Sequence, residues 1–145
     1  VVEALGAVIG WHARHLLPGA VEVTGDPRAH LVEADFFALV ADDLPFGPTA
    51  PHTVDAVLVD IDHSPRHLLH SAHASFYTPA GLARVAARLQ PGGVFGLWAD
   101  GPPDEEFVAT LEQAFANATA HVVTFPNFYT GGESASTVYV ATTLR

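Results

Sequence analysis

The chain contains no cysteine, no methionine and no lysine. Without cysteine there is no disulfide framework, no thiolate nucleophile and no cysteine-type zinc site. The six cationic residues are arginines scattered along 145 residues, against sixteen Asp and Glu and a formal net charge of −10. No basic stripe exists to neutralise phosphates, so neither nucleic acid nor an anionic membrane is expected as a partner. No apolar run approaches the roughly 20 residues that span a bilayer, and no signal segment opens the chain. The expectation is a soluble, cytoplasmic protein. The chain begins Val1-Val2-Glu3-Ala4, in mid-strand by its pattern, which reads as a fragment of something longer.

What is present suffices for one sizeable core, with 49% hydrophobic residues and a mean hydropathy of +0.25. A single domain over residues 1–145 is expected. Residues 1–4 read as a strand end, and residues 5–17 as an amphipathic helix with Leu5, Val8, Ile9, His12 and Leu16 on one face, stopped by Pro18-Gly19. After the turn Gly25-Asp26-Pro27, residues 30–35 form a strand ending on an acid, followed by a short helical stretch to Ala41. Pro45, Gly47, Pro48 and Pro51 mark a loop. Pro79 opens a helix to Leu89 with Thr78 as N-cap, and Pro91-Gly92-Gly93 ends it before a strand over residues 94–99. Residues 104–116 are the next helix. Two last strands, residues 121–125 and 137–142, have only the loop 127–133 between them and should pair antiparallel. Strands alternating with helices predict a three-layer α/β sandwich with a mostly parallel sheet and an antiparallel C-terminal pair.

The most informative stretch is Val54-Asp55-Ala56-Val57-Leu58-Val59-Asp60-Ile61-Asp62-His63-Ser64-Pro65. Residues 56–59 show no polar alternation, so neither face expects water, as in parallel sheets covered by helices. Asp60 and Asp62 then sit at the carboxyl end of a strand, where open α/β sheets bind ligands. The spacing of His63, His67, His70 and His73 would set four imidazoles along one helical face. A zinc site needs carboxylates or thiolates in defined geometry and the HExxH arrangement is missing, so no metal is expected.

Several pieces recur in a familiar order: Asp26-Pro27-Arg28 before Glu33-Ala34-Asp35, the strand ending at Asp60, Phe76-Tyr77, and Leu89-Gln90-Pro91-Gly92-Gly93-Val94. This order resembles the Rossmann-like class I S-adenosylmethionine-dependent methyltransferase fold and, within it, spermidine synthase and its bacterial relatives. The resemblance implies S-adenosylmethionine or decarboxylated S-adenosylmethionine as cofactor and a small-molecule amine or other nucleophile as acceptor. Glu3 would hold the ribose hydroxyls, Asp35 would accept from the adenine amino group, and Asp60 would both contact the cofactor and take a proton from the attacking amine. Asp62, His63, Tyr77 and Trp98 would line the acceptor side, Asp62 holding a cationic amine. Each also has a plainer reading: Asp60 caps a turn, Glu3 and Asp35 are solvated strand ends, and the aromatics are core or pocket wall.

Departures accompany the resemblance. The family pattern is Asp, two residues, Asp, Pro, whereas here the second acid comes a residue early and the proline a residue late. Where the synthases commonly place Gln and Glu, this chain has Leu97-Trp98-Ala99-Asp100. The Gly-rich loop and first strand expected before Val1 are absent. The natural polypeptide is therefore expected to extend upstream, or a partner to supply that strand. Three functions remain open: aminopropyl transfer to a polyamine, methyl transfer, and a non-catalytic assembly module. Homodimers are common in the resembled family, but no interface is legible in this sequence.

Overall fold

The computed structural model describes residues 1–145. The chain divides into two compact units, Val1–Pro51 and His52–Arg145. No helix is long and apolar enough to cross a membrane.

In the first unit, β1 (Val2–Glu3) pairs in parallel with β2 (Val32–Glu33), Glu3 standing opposite Glu33. Between them run α1 (Gly6–Ala13) and α2 (Ala20–Gly25), and α3 (Phe36–Ala41) follows β2. Helix α1 is shorter than its apolar spacing predicts: His15 adopts φ 56° just beyond it and Gly19 φ 76°, which ends one helix and starts the next. Helix α2 was hidden by β-branched residues and turn signals. Asp35 caps α3 by accepting from the N–H groups of Phe37 and Ala38. Phe36, buried on this helix, stacks against Phe46 at 5.8 Å.

The second unit is a four-stranded sheet in the order β3 (Val54–Val59), β4 (Leu89–Asp100), β6 (Gly132–Thr142), β5 (Asn117–Asn127). Strands β3 and β4 are parallel, joined through a short 3₁₀ turn, Ser71–Ser75, and α4 (Pro79–Ala86); α5 (Glu105–Leu111) connects β4 to β5. Both β4–β6 and β5–β6 are antiparallel. The expected terminal pair is present, but the sheet is mixed rather than mostly parallel. The reason is that β1 and β2 pair in a sheet of their own, which leaves β3–β4 as the one parallel pair here. The last hairpin is also longer than expected, its strands pairing through most of the expected loop and leaving only residues 128–131 as the turn. Strand β4 also starts earlier than expected. Its paired residues skip from Leu89 to Val94 while β3 advances from Val54 to Ala56, so Pro91-Gly92-Gly93 forms a bulge, with Gly92 at φ 75°.

Pleating decides the core. Val57, Val59, Phe95, Leu97, Ala99, Thr137, Tyr139 and Ala141 share one face and are buried. Helices α4 and α5 bring Leu82, Val85, Phe107 and Leu111 into the same core. Phe95 stacks on Phe115 at 5.4 Å, and Phe107 meets Tyr139 edge-on at 5.0 Å. Helix α4 begins as expected with Thr78 accepting from the Gly81 N–H. Gly81 is required there because a Cβ would fall against the carbonyl oxygens of Ser75 and Phe76. The opposite face corrects the reading of residues 56–59: Ala56 is exposed and Leu58 is 79% exposed, its side chain lying across Gly96. An unalternating apolar run here is covered on one side only.

This asymmetry gives a test. Phe95→Ala removes a fully buried ring and should cost about 3–5 kcal/mol, whereas Leu58→Ala on the open face should change stability by less than about 0.5 kcal/mol. Urea unfolding of the two variants measures both.

Candidate functional site

Parallel strands β3 and β4 end at the same side of the sheet, with Val59 opposite Leu97. Asp60 follows β3 directly and is exposed, and Asp100 closes β4, also exposed. The Asp100 N–H donates to the His63 carbonyl at 2.6 Å, which draws the loop leaving β3 alongside the end of β4. This rim is where an α/β sheet presents ligand-binding groups.

Two residues after Asp60 the chain turns inward. The Asp62 side chain is fully buried and accepts from three donors: the Leu69 N–H at 2.7 Å, His73 Nδ1 at 2.9 Å and the Tyr77 hydroxyl at 2.9 Å. A carboxylate acceptor requires the proton on Nδ1, which sets the His73 tautomer. Burial first, and then Asp62, push the Tyr77 phenol well above its ordinary range. Asp62, expected to hold a substrate amine, is occupied internally. His73 is the residue the sequence reading missed in this role, and the only available signal was its place among the four histidines.

The histidines do not share a helical face. His63 and His67 bring their rings to 4.9 Å, tilted, on a tight turn closed by Ser64, while His70 and His73 approach at 5.9 Å around the 3₁₀ turn. No group of three or more candidate ligands is gathered for a metal ion. A second tie holds the loop from outside: the Arg66 guanidinium forks onto Asp104 and Glu106 at the start of α5. That guanidinium, opposed by partial burial, lowers the Asp104 carboxyl, which also caps the helix through the Glu106 and Phe107 N–H groups. Tyr77 and Trp98, expected together on the acceptor side, lie on opposite faces. Tyr77 packs edge-on against Phe107 in the core, and Trp98 alternates onto the open face opposite Val138.

In the first unit, Glu3 is half-buried and its Oε1 accepts from the Leu5 N–H at 2.8 Å. Asp35 Oδ1 takes both capping bonds, at 2.8 and 3.2 Å. Glu33 joins them, its carboxylate so close over Gly6 that a Cβ there would stand 2.7 Å from both oxygens. An indentation of about 360 Å³ between Gly92, Asn117, Thr142 and Arg145 opens at the other end of the sheet from Asp60 and Asp100.

No protein-family model matches the sequence, and no curated protein matches it. Solved structures do. Spermidine synthase from Thermotoga maritima superposes with a TM-score of 0.63 at 18% identity, over 97% of this chain and 42% of the synthase. Human methyltransferase-like protein 13, solved with SAH, gives 0.62 at 19% identity over 99% of this chain and 60% of that one. TrmN from Thermus thermophilus gives 0.52 at 19% identity. The fold is that of the class I S-adenosylmethionine-dependent methyltransferases. The chain spans less than half of the synthase it matches.

Two consequences of the buried network are measurable. Asp62→Asn should cost about 2–4 kcal/mol and Tyr77→Phe about 1–2 kcal/mol in urea unfolding, since each leaves buried donors or acceptors short of a partner. Tyr77 and Tyr139, both raised in the folded chain chiefly by burial, have an ordinary value of 10.0 when unfolded. The unfolded chain therefore releases protons that the folded chain keeps. This contribution to stability should be fully present below pH 10 and be lost as pH rises further, and absorbance titration should show both phenols ionising above the ordinary tyrosine range.

Proposed function

We propose that this chain is a transferase domain that binds an S-adenosylmethionine-type nucleoside and moves an alkyl group from its sulfonium to an amine, in the manner of spermidine synthase. The observation that carries the reading is that, within the first unit, Glu3 and Asp35 stand at or just past the carboxyl ends of two parallel strands, in a fold shared with a protein solved with SAH. The donor chemistry fits such a nucleoside. Glu3 commits Oε1 to Leu5 and Asp35 commits Oδ1 to its cap, so Oε2 can accept from ribose hydroxyls and Oδ2 from an adenine amino group.

When bound, the sulfonium supplies an activated carbon with a neutral thioether as leaving group. In the second unit Asp60, exposed at the end of β3, would accept the proton lost by an attacking nitrogen. Aminopropyl transfer from decarboxylated S-adenosylmethionine, within polyamine biosynthesis in the cytoplasm, is the first form of this reading. Methyl transfer is the second, and the burial of Asp62 favours it: the acid expected to grip a diamine is occupied by Leu69, His73 and Tyr77.

Calorimetric titration with S-adenosylhomocysteine and methylthioadenosine tests the binding. Glu3→Gln and Asp35→Asn should each weaken it by about tenfold. Asp60→Asn should lower transfer by about 10²-fold or more. Absence of binding at millimolar nucleoside would reject the reading in favour of a non-catalytic module. Product analysis with putrescine plus decarboxylated cofactor, against methyl release, separates the two chemistries.

A further inference from the structure

Strand β5 is antiparallel to β6, which is antiparallel to β4, so β5 runs toward the same rim as β3 and β4. Strand β4 stops at Asp100, opposite Ser136, and Ser136 pairs with Val123. The last hairpin does not stop there. Four further pairs, Thr124↔Ala135 to Asn127↔Gly132, carry a two-stranded arm about 13 Å beyond the end of β4. The arm is ordered at its tip. The Gly131 N–H donates to the Asn127 carbonyl, Asn127 Oδ1 accepts from Tyr129 and Thr130, and Asn127 Nδ2 donates to Ser134 Oγ. On that fixed turn Phe128 is 92% and Tyr129 103% exposed.

Past Asp100, residues 132–135 of β6 have β5 on one side and no strand on the other. Their free edge faces the side of the sheet on which Asp100 and then Asp60 lie, and a two-stranded ribbon is only marginally stable without a third strand. The space beside this edge is bounded by acids. Asp100 and Asp60 are exposed on the rim, and Glu133 is the one charged residue on the arm itself. An approaching cation would be favoured further by the net charge of −10.

We propose that the free edge of residues 132–135, with the Phe128–Tyr129 tip above it, docks an extended, basic polypeptide segment that serves as the acceptor. This proposal rests on the transferase reading and names its acceptor class. A row of alternating backbone N–H and C=O groups is matched by another peptide backbone, as in β-strand addition. A linear polyamine offers donors only and leaves the N–H groups unmatched. The strand would continue the line of β4 outward, its basic side chains meeting Glu133 and Asp100 and reaching toward Asp60.

The test uses a soluble twelve-residue peptide alternating lysine with threonine and valine, the same peptide N-methylated at alternate residues, and spermine. The unmodified peptide should bind about tenfold more tightly than either comparator and should slow amide exchange at residues 132–135. Phe128→Ala with Tyr129→Ala should weaken it by a similar factor, as both side chains point to solvent in the folded chain. Equal binding of the N-methylated peptide or of spermine would reduce the attraction to charge alone and overturn the proposal. So would unchanged exchange at residues 132–135, or sedimentation showing a dimer that protects this arm in place of a peptide. S-adenosylhomocysteine titration on the same samples separates the two claims: nucleoside binding without peptide docking sinks this inference only, and peptide docking without nucleoside binding sinks the transferase reading and the acceptor role with it, leaving a peptide-docking edge.

Discussion

The loop between β3 and α4 has almost no regular structure, and it is ordered by one buried carboxylate. Asp62 accepts from groups seven, eleven and fifteen residues further on, in Leu69, His73 and Tyr77. A carboxylate deprived of water is tolerated only when such donors replace its hydration, so the loop cannot relax without losing several bonds together. The position of everything else on the rim follows. Asp60 and His63 flank Asp62 in sequence, and the carbonyl of His63 is what Asp100 holds. The Arg66 clamp on α5 acts in the same direction, but its guanidinium lies in solvent, where ion pairs contribute little.

Carboxylates at strand ends thus divide by what they face. Asp62 is structural in its contacts, Asp104 starts a helix, and Asp60 and Asp100 remain turned to solvent. In the first unit the division runs within single side chains. One oxygen of Glu3 and one of Asp35 satisfy local backbone donors, which fixes the direction of the other. A carboxylate held in this way presents its remaining oxygen without the entropic cost of searching for an orientation.

The mixed sheet has a consequence beyond classification. A parallel strand must return through a crossover, whereas a hairpin can extend past its neighbours for as long as its two strands pair. The β5–β6 ribbon does so toward the rim where β3 and β4 present their acids. The length of this antiparallel pair therefore supplies the feature that distinguishes this rim, a projecting wall with an exposed aromatic turn.

Local patterns were enough for much of this. Thr78 before Pro79, Asp104 before two glutamates, and the acids ending apolar runs are decided by backbone donors within a turn of chain, so α4, the start of α5, β3 and the placement of Asp35 and Asp60 were legible. Tertiary structure decided what spacing cannot encode. Asp60 and Asp62 have the same chemistry two residues apart, and only the arrival of His73 and Tyr77 makes one internal and the other exposed. The same holds for Leu58 among its valines, uncovered because nothing packs on that face. It holds again for the last hairpin, whose turn residues read as a loop until pairing across the ribbon made them strand. A side chain's identity sets which partners it can accept; which face it meets them on depends on segments far along the chain.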